Sequence, residues 1–268
     1  MTLSVQPAPE LSWNEPDGLA PRGTLVVIPG RGEQPVLYER LGRRLSADAY
    51  RVHATVDPAT DAEQATAQVA GLLSDAETIR PRVLVGSDTG ALFVAGLAAT
   101  GQVTGIDAIV LAGLPATPEN GADSSTRNPR ATNGSWDAEL DARTACPTHR
   151  RRLAGPGLRR GALADDIPAD WFTRADLGRV NQPVLGLHGA DDPVSPLATV
   201  LPRYAAAPSA ELVSIAGGRH DVLNDQTHRT TAATVVLFLE RLRLGSGLRA
   251  IAVSEPLTLA AVPAGARR

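Results

Sequence analysis

Val83-Leu84-Val85-Gly86-Ser87-Asp88-Thr89-Gly90 is an apolar run that ends in Gly-x-Asp-x-Gly and continues into the small-residue stretch Ala91 to Ala99. Apolar residues, a glycine-framed turn and a helix-forming run read as a buried strand turning sharply into a helix. Gly86 and Gly90 remove side chains where such a turn crowds the backbone. Asp88 stands at the tip. A carboxylate attacking an ester carbonyl would form an anhydride, with little gain. One attacking saturated carbon that bears a leaving group, as in an epoxide or a carbon–halogen bond, forms an ester that water can open.

Outward from this turn, strands and helices alternate. Thr24 to Ile28 reads as a buried strand, and Leu37, Leu41 and Leu45 give Val36 to Ala47 a helical spacing. Arg51 to Val56 and Asp61 to Ala76 form the next strand and helix, Arg82 to Val85 the strand before the turn, and Ile106 to Leu111 a further strand. The rhythm stops over Pro115 to Asn181, where Ser135 is placed to cap a helix beginning Trp136-Asp137-Ala138-Glu139. It resumes with Pro183 to His188, Leu197 to Ala206, Glu211 to Ile215 and a long helix from Thr227 to Leu244. The expected fold is α/β: a mostly parallel central sheet, helices on both faces and an inserted lid. The expected organisation is a core of residues 1–114 and 182–244, a lid of 115–181 and a tail of 245–268. An edge strand over Ala250 to Val253 is left open.

The 268 residues are enough for one large domain. The net charge of −3 argues against a nucleic-acid partner. All 26 basic residues are arginine, which suggests a GC-rich, bacterial genome. The one cysteine, Cys146, excludes an internal disulfide framework and a cysteine-based zinc cluster. The N-terminal stretch lacks the basic start and apolar core of a signal peptide, and no apolar run approaches the roughly 18 residues of a membrane span. These features predict a cytoplasmic protein with a small-molecule substrate, no cofactor, no metal and no membrane partner, and leave a homodimer open.

Two further stretches complete a constellation. Val184 to Val194 is a strand running into Gly189-Ala190-Asp191-Asp192-Pro193, and Ser214 to Asp221 is a strand running into a glycine-containing loop that ends at His220. In open α/β sheets, sites form beyond the carboxyl ends of the strands, where Asp88, Asp192 and His220 all fall. The order nucleophile, acid, histidine and the glycine-framed turn resemble the α/β-hydrolase fold superfamily, over roughly Thr24 to Arg243. The aspartate at the turn resembles the epoxide hydrolase and haloalkane dehalogenase branch. The segment from His220 to Leu244 resembles the lysophospholipase and monoacylglycerol-lipase-like branch. The resemblance implies Asp88 as nucleophile or proton carrier, His220 as base and Asp192 as its orienting acid. It also implies an oxyanion loop at Gly30-Arg31-Gly32, with backbone N–H groups near Arg31 and Thr89 and with Arg31 available to an anionic group.

Plainer alternatives stand beside these. Asp88 would serve as a helix N-cap, Asp192 as a turn residue with Asp191 as runner-up, and Arg31 as a solvated arginine. Ser87 is a rival nucleophile, one residue early and facing the other side. Trp136 and Trp171 would line a pocket or pack the lid. His53 and His188 read as structural, Arg150-Arg151-Arg152 as a solvated face, and Cys146 with His149 as a pair on a helix interrupted by Pro147. The resemblance also brings departures. Epoxide hydrolases of this fold carry lid tyrosines, whereas Tyr38, Tyr50 and Tyr204 lie outside 115–181. Haloalkane dehalogenases carry tryptophan after the nucleophile, where this chain has Thr89. The expected function is hydrolysis of a small electrophile such as an epoxide through an aspartyl ester. A non-hydrolytic cyclase, dehydratase or lyase of bacterial secondary metabolism, and a non-catalytic binding protein, are the alternatives.

Overall fold

The computed structural model describes residues 11–117 and 135–253. The first part of the expected lid, 118–134, and the tail from 254 lie outside the described residues. The elements are β1 Leu11–Trp13, β2 Gly23–Ile28, α1 Glu39–Ala47, β3 Tyr50–Ala54, α2 Ala62–Ser74, β4 Arg82–Ser87, α3 Thr89–Thr100, β5 Ala108–Ala112, α4 Trp136–Arg143, α5 Pro147–Leu153, α6 Ala169–Arg174, β6 Val184–Gly189, α7 Leu197–Ala205, β7 Ala210–Ile215 and α8 His228–Arg243. They build a seven-stranded sheet in the order β1-β3-β2-β4-β5-β6-β7. Only β1 runs antiparallel; every other pair is parallel.

The central strands are near-continuous apolar runs because helices cover both faces of the sheet. Successive residues alternate between two cores. Leu25 and Val27 pack with Val83, Val85 and Val110 and with Val235, Phe238 and Leu239 of α8. Val26 and Ile28 pack with Leu84, Ile109 and Leu111 and with Leu92 and Val94 of α3. Each fully buried side chain of this kind contributes about 1.5–3 kcal/mol. From the segment after Ser135, Leu140, Leu153 and Leu158 join the first core, and Trp171, Leu177 and Val180 join the second.

Two local features differ from expectation, and one open question is answered. Residues Pro35–Tyr38 form a 3-10 turn before α1, so the single helix expected from Val36 begins as a tighter one. Pro147 opens α5, with Cys146 at the N-cap, because proline's missing N–H costs nothing in a first turn. Residues Ala250 to Val253 form no strand. Strand β1 went unforeseen. It is short, and it is anchored by the Trp13 ring, which lies on Gly42 where a β-carbon would come within 2.2 Å of it. Among the described residues no helix is long and apolar enough to cross a membrane.

Candidate active site

Asp88 sits at the corner between β4 and α3 with φ 49° and ψ −121°. A non-glycine residue in this region carries strain of about 1–3 kcal/mol, which surrounding contacts must hold. The two glycines explain how. A β-carbon on Gly86 would lie 2.3 Å from the Gly90 carbonyl oxygen, and one on Gly90 would lie 2.3 Å from that of Ile28 and 2.4 Å from that of Pro29. The Asp88 N–H donates to the Ala112 carbonyl of β5 at 3.0 Å, fixing the corner to the next strand. The side chain does not cap α3. It turns toward His220 and Arg31, and it is 2% exposed.

The expected acid and histidine converge on it. His220 Nδ1 lies 2.8 Å from Asp192 Oδ2, and His220 Nε2 lies 3.2 Å from Asp88 Oδ1. The first contact is a hydrogen bond. The second has ion-pair distance, but Nε2 makes no well-aligned hydrogen bond among the described residues. Asp192 serves two purposes. Its Oδ1 accepts the N–H groups of Val194 and Ser195 at 2.8 and 3.0 Å, a turn, while Oδ2 orients the imidazole. Asp191 is exposed. His188 Nε2 stands 3.4 Å behind Asp192 Oδ2 and 2.6 Å from the Ser195 carbonyl oxygen. Ser87, the rival nucleophile, is buried.

Arg31 is buried, not solvated. Its backbone N–H donates to Asp88 Oδ2 at 3.1 Å, its Nε to the same oxygen at 2.8 Å, and its Nη2 to Asp88 Oδ1 at 3.0 Å. Its Nη1 donates to the carbonyls of Leu163 and Asp165, in the expected lid, at 3.2 and 3.0 Å. Gly30 contributes proximity, since its N–H donates to Glu33 Oε2 and the Tyr38 hydroxyl, each at 3.2 Å, and is not directed at Asp88. Thr89 is fully buried, and its hydroxyl has no hydrogen-bond partner among the described residues. Trp136 and Trp171 pack elsewhere. Trp136 lies under the Arg160 guanidinium, 4.9 Å from its ring centroid, and Trp171 meets Phe93 of α3 at 5.6 Å between centroids.

A second buried layer had no clear sequence signal. Arg143, fully buried at the end of α4, donates Nη2 to the Arg31 carbonyl at 2.9 Å, Nη1 to Glu33 Oε1 at 3.0 Å and Nε to Glu139 Oε1 at 3.2 Å. Asp221 Oδ1 lies 3.5 Å from Arg143 Nη1, and its Oδ2 lies 3.1 Å from His149 Nε2. The Tyr38 hydroxyl donates to Glu33. Backbone bonds complete the link: Ala142 and Arg143 carbonyls accept the N–H groups of His220 and Asp221 at 3.3 and 2.8 Å. One arginine therefore joins the loop that carries Arg31, the loop that carries His220, and α4. In sequence, Glu139 and Arg143 look like an ordinary exposed i, i+4 pair. Only the adjacency of Asp221 to His220 hinted at this layer.

Charge follows from this packing. Burial alone would raise the Asp88 carboxyl, but Arg31 and then His220 hold it well below the usual carboxylate range. Burial disfavours a charged His220, yet Asp192 and Asp88 on its two sides raise it to about 10. The resting array at neutral pH is Arg31⁺, Asp88⁻, His220⁺, Asp192⁻. Burial raises Glu33 to about 7 and Asp221 to about 6, and lowers His149 to about 4. Among the described residues no cluster is arranged to hold a metal ion.

No protein-family model and no curated protein matches the chain. Solved structures do. A monoacylglycerol lipase of Paleococcus ferrophilus aligns with TM-score 0.64 at 19% identity, covering 86% of this chain and 97% of its own. A soluble variant of monoglyceride lipase from Saccharomyces cerevisiae aligns with TM-score 0.66 at 19% identity, over 87% of this chain and 91% of its own. An enol-lactonase from Burkholderia xenovorans aligns with TM-score 0.60 at 19% identity, over 87% and 96%. Likeness at this identity establishes the architecture: the chain has the α/β-hydrolase fold.

Proposed function

Taking that fold as premise, we propose that the chain is a hydrolase that opens small electrophiles through an ester on Asp88. One observation carries this reading: the oxyanion-loop N–H of Arg31 is aimed at Asp88's own Oδ2. A serine hydrolase directs such donors at the substrate's carbonyl oxygen. In an aspartyl ester the carbonyl under attack belongs to the enzyme, so the donors must face the aspartate. The depressed Asp88 pKa supports the same reading. A proton carrier works best with a pKa near the operating pH, which a permanently ionised carboxylate lacks.

The proposed sequence for an epoxide runs as follows. Asp88 Oδ1 attacks carbon, the carbon–oxygen bond breaks on the side away from Oδ1, and the alkoxide formed there takes a proton from water. His220, which stands beside Oδ1 and not on the leaving side, gives its Nε2 proton to the hydroxide left behind. The ester removes the Asp88 charge, one of the two anions that raise the His220 pKa, so the neutral imidazole persists. Water attacks Asp88 Cγ and gives its proton to His220, while negative charge on Oδ2 meets the Arg31 N–H and Nε–H. Collapse returns the Asp88 carboxylate and a diol, the alcohol oxygen taking the proton left on the acid. The segment 115–181 is the lid of this reading, its Leu163 and Asp165 carbonyls holding Arg31 over Asp88.

A covalent trap tests it. In His220→Gln the base for ester hydrolysis is gone, and a halide leaves without needing a proton. A panel of small alkyl halides, charged and neutral, should leave an alkyl mass on the Asp88 peptide in that variant. Wild-type turnover of any member, with an unmodified Asp88 peptide in His220→Gln, would contradict the proposal.

A further inference from the structure

Asp88 is not free to react while Arg31 holds both of its oxygens. Oδ2 takes two donors from Arg31 and Oδ1 takes Nη2, leaving Oδ1 shared with His220. Attack by Oδ1 requires that Nη2 let go. A buried guanidinium donor released in this way needs another acceptor, and a neutral electrophile offers a poor one.

Direction narrows the choice. In displacement at saturated carbon, the leaving group departs on the side opposite the attacking oxygen. The substituents on the attacked carbon lie beside that oxygen. Arg31 flanks Asp88 on the attacking side, with Nη2 3.0 Å from Oδ1. It is therefore placed for a substituent, not for a leaving group. Nearby carboxylates do not compete for it. Glu33 is engaged by Arg143, Tyr38 and the Gly30 N–H, and Asp57 by the N–H groups of Gly32 and Ala59 and the Thr60 hydroxyl.

We infer that the substrate carries a carboxylate on, or directly beside, the carbon that Asp88 attacks, and that this carboxylate takes Nη2 of Arg31 from Asp88 Oδ1. The substrate class is then small 2-substituted carboxylic acids, such as 2-halo acids or epoxy acids. This rests on the aspartyl-ester reading. The substrate's charge both frees the nucleophile and places its carbon, through a charge-assisted hydrogen bond to the one guanidinium nitrogen released, Nη2.

Two matched probes, 2-bromopropionate and 2-bromopropionamide, test the inference by bromide release and by mass analysis of the Asp88 peptide. In wild type the acid should react at Asp88 at least about tenfold faster than the amide, as expected for a charge-assisted contact. That preference should vanish in Arg31→Met and persist in part in Arg31→Lys. Unreactive propionate should protect wild-type Asp88, a readout that stands even if Arg31→Met fails to fold. Equal reaction of acid and amide at Asp88 in wild type, or absence of protection by propionate, overturns the inference and leaves the aspartyl-ester reading standing. A preference that survives in folded Arg31→Met does the same. Reaction at Asp88 with neither probe, in wild type or in His220→Gln, overturns this inference; the ester reading falls as well when a member of the alkyl halide panel is turned over with Asp88 unmodified.

Discussion

Asp88 and His220 govern each other's charge. The imidazole is held at about 10 by carboxylates on both sides, Asp192 at 2.8 Å and Asp88 at 3.2 Å. Removing one anion should release part of that hold. In Asp88→Asn the His220 ring should titrate well below its wild-type value, followed by NMR of the imidazole nitrogens, and an unchanged titration would show that Asp88 exerts no field there. These residues were legible in the sequence because each follows an apolar strand in a fixed order, with glycines at the turn. Arg31 was legible by position only. That it forks Asp88 depends on the approach of two loops 57 residues apart. Arg143, Glu33 and Asp221 were illegible, because a buried arginine that bridges three carboxylates has the same local sequence as a solvated one.

Two elements hold the site in place. At the β4–α3 corner, a β-carbon at position 90 would meet the backbone oxygens of Ile28 and Pro29 at 2.3 and 2.4 Å, and backbone cannot yield as a side chain does. Gly90→Ala should therefore destabilise by about 1–3 kcal/mol or more, as overpacking does, and yield little soluble protein. At the end of α4, Arg143→Met strips the cation from Glu33, Glu139 and Asp221 at once. The expected loss is about 3–5 kcal/mol, the cost of leaving buried charge unpaired, read from urea unfolding. A loss below about 1 kcal/mol would mean that those carboxylates are protonated or solvated in the fold. The alternation of strands and helices was plain from the apolar runs of β2, β4, β5 and β6. Elements α5 and α6 were not, because seven and six residues carry too little periodicity to be read.

The whole molecule should show the array as a dependence of stability on pH. His220 has its folded pKa above the unfolded value, so its contribution is complete below about pH 6.5 and is lost as pH rises through about 10. Across that window the folded state binds one more proton at this site than the unfolded chain, and stability should fall by about 1.4 kcal/mol per pH unit. Glu33 and Asp221 act in the same direction, but their raised values, about 7 and about 6, confine them to lower pH. Melts between about pH 8 and 9.5 should therefore fall steeply in wild type and flatten in His220→Gln. In the proposed chemistry these charges supply an ionised carboxylate, a proton held beside it and an N–H donor directed at it. The most direct measurement is a single turnover of 2-bromopropionate in water enriched in oxygen-18, with mass analysis of the Asp88 peptide. An aspartyl ester places one heavy oxygen in the Asp88 carboxylate and none in the first product. Label in the product alcohol with an unlabelled Asp88 would contradict it.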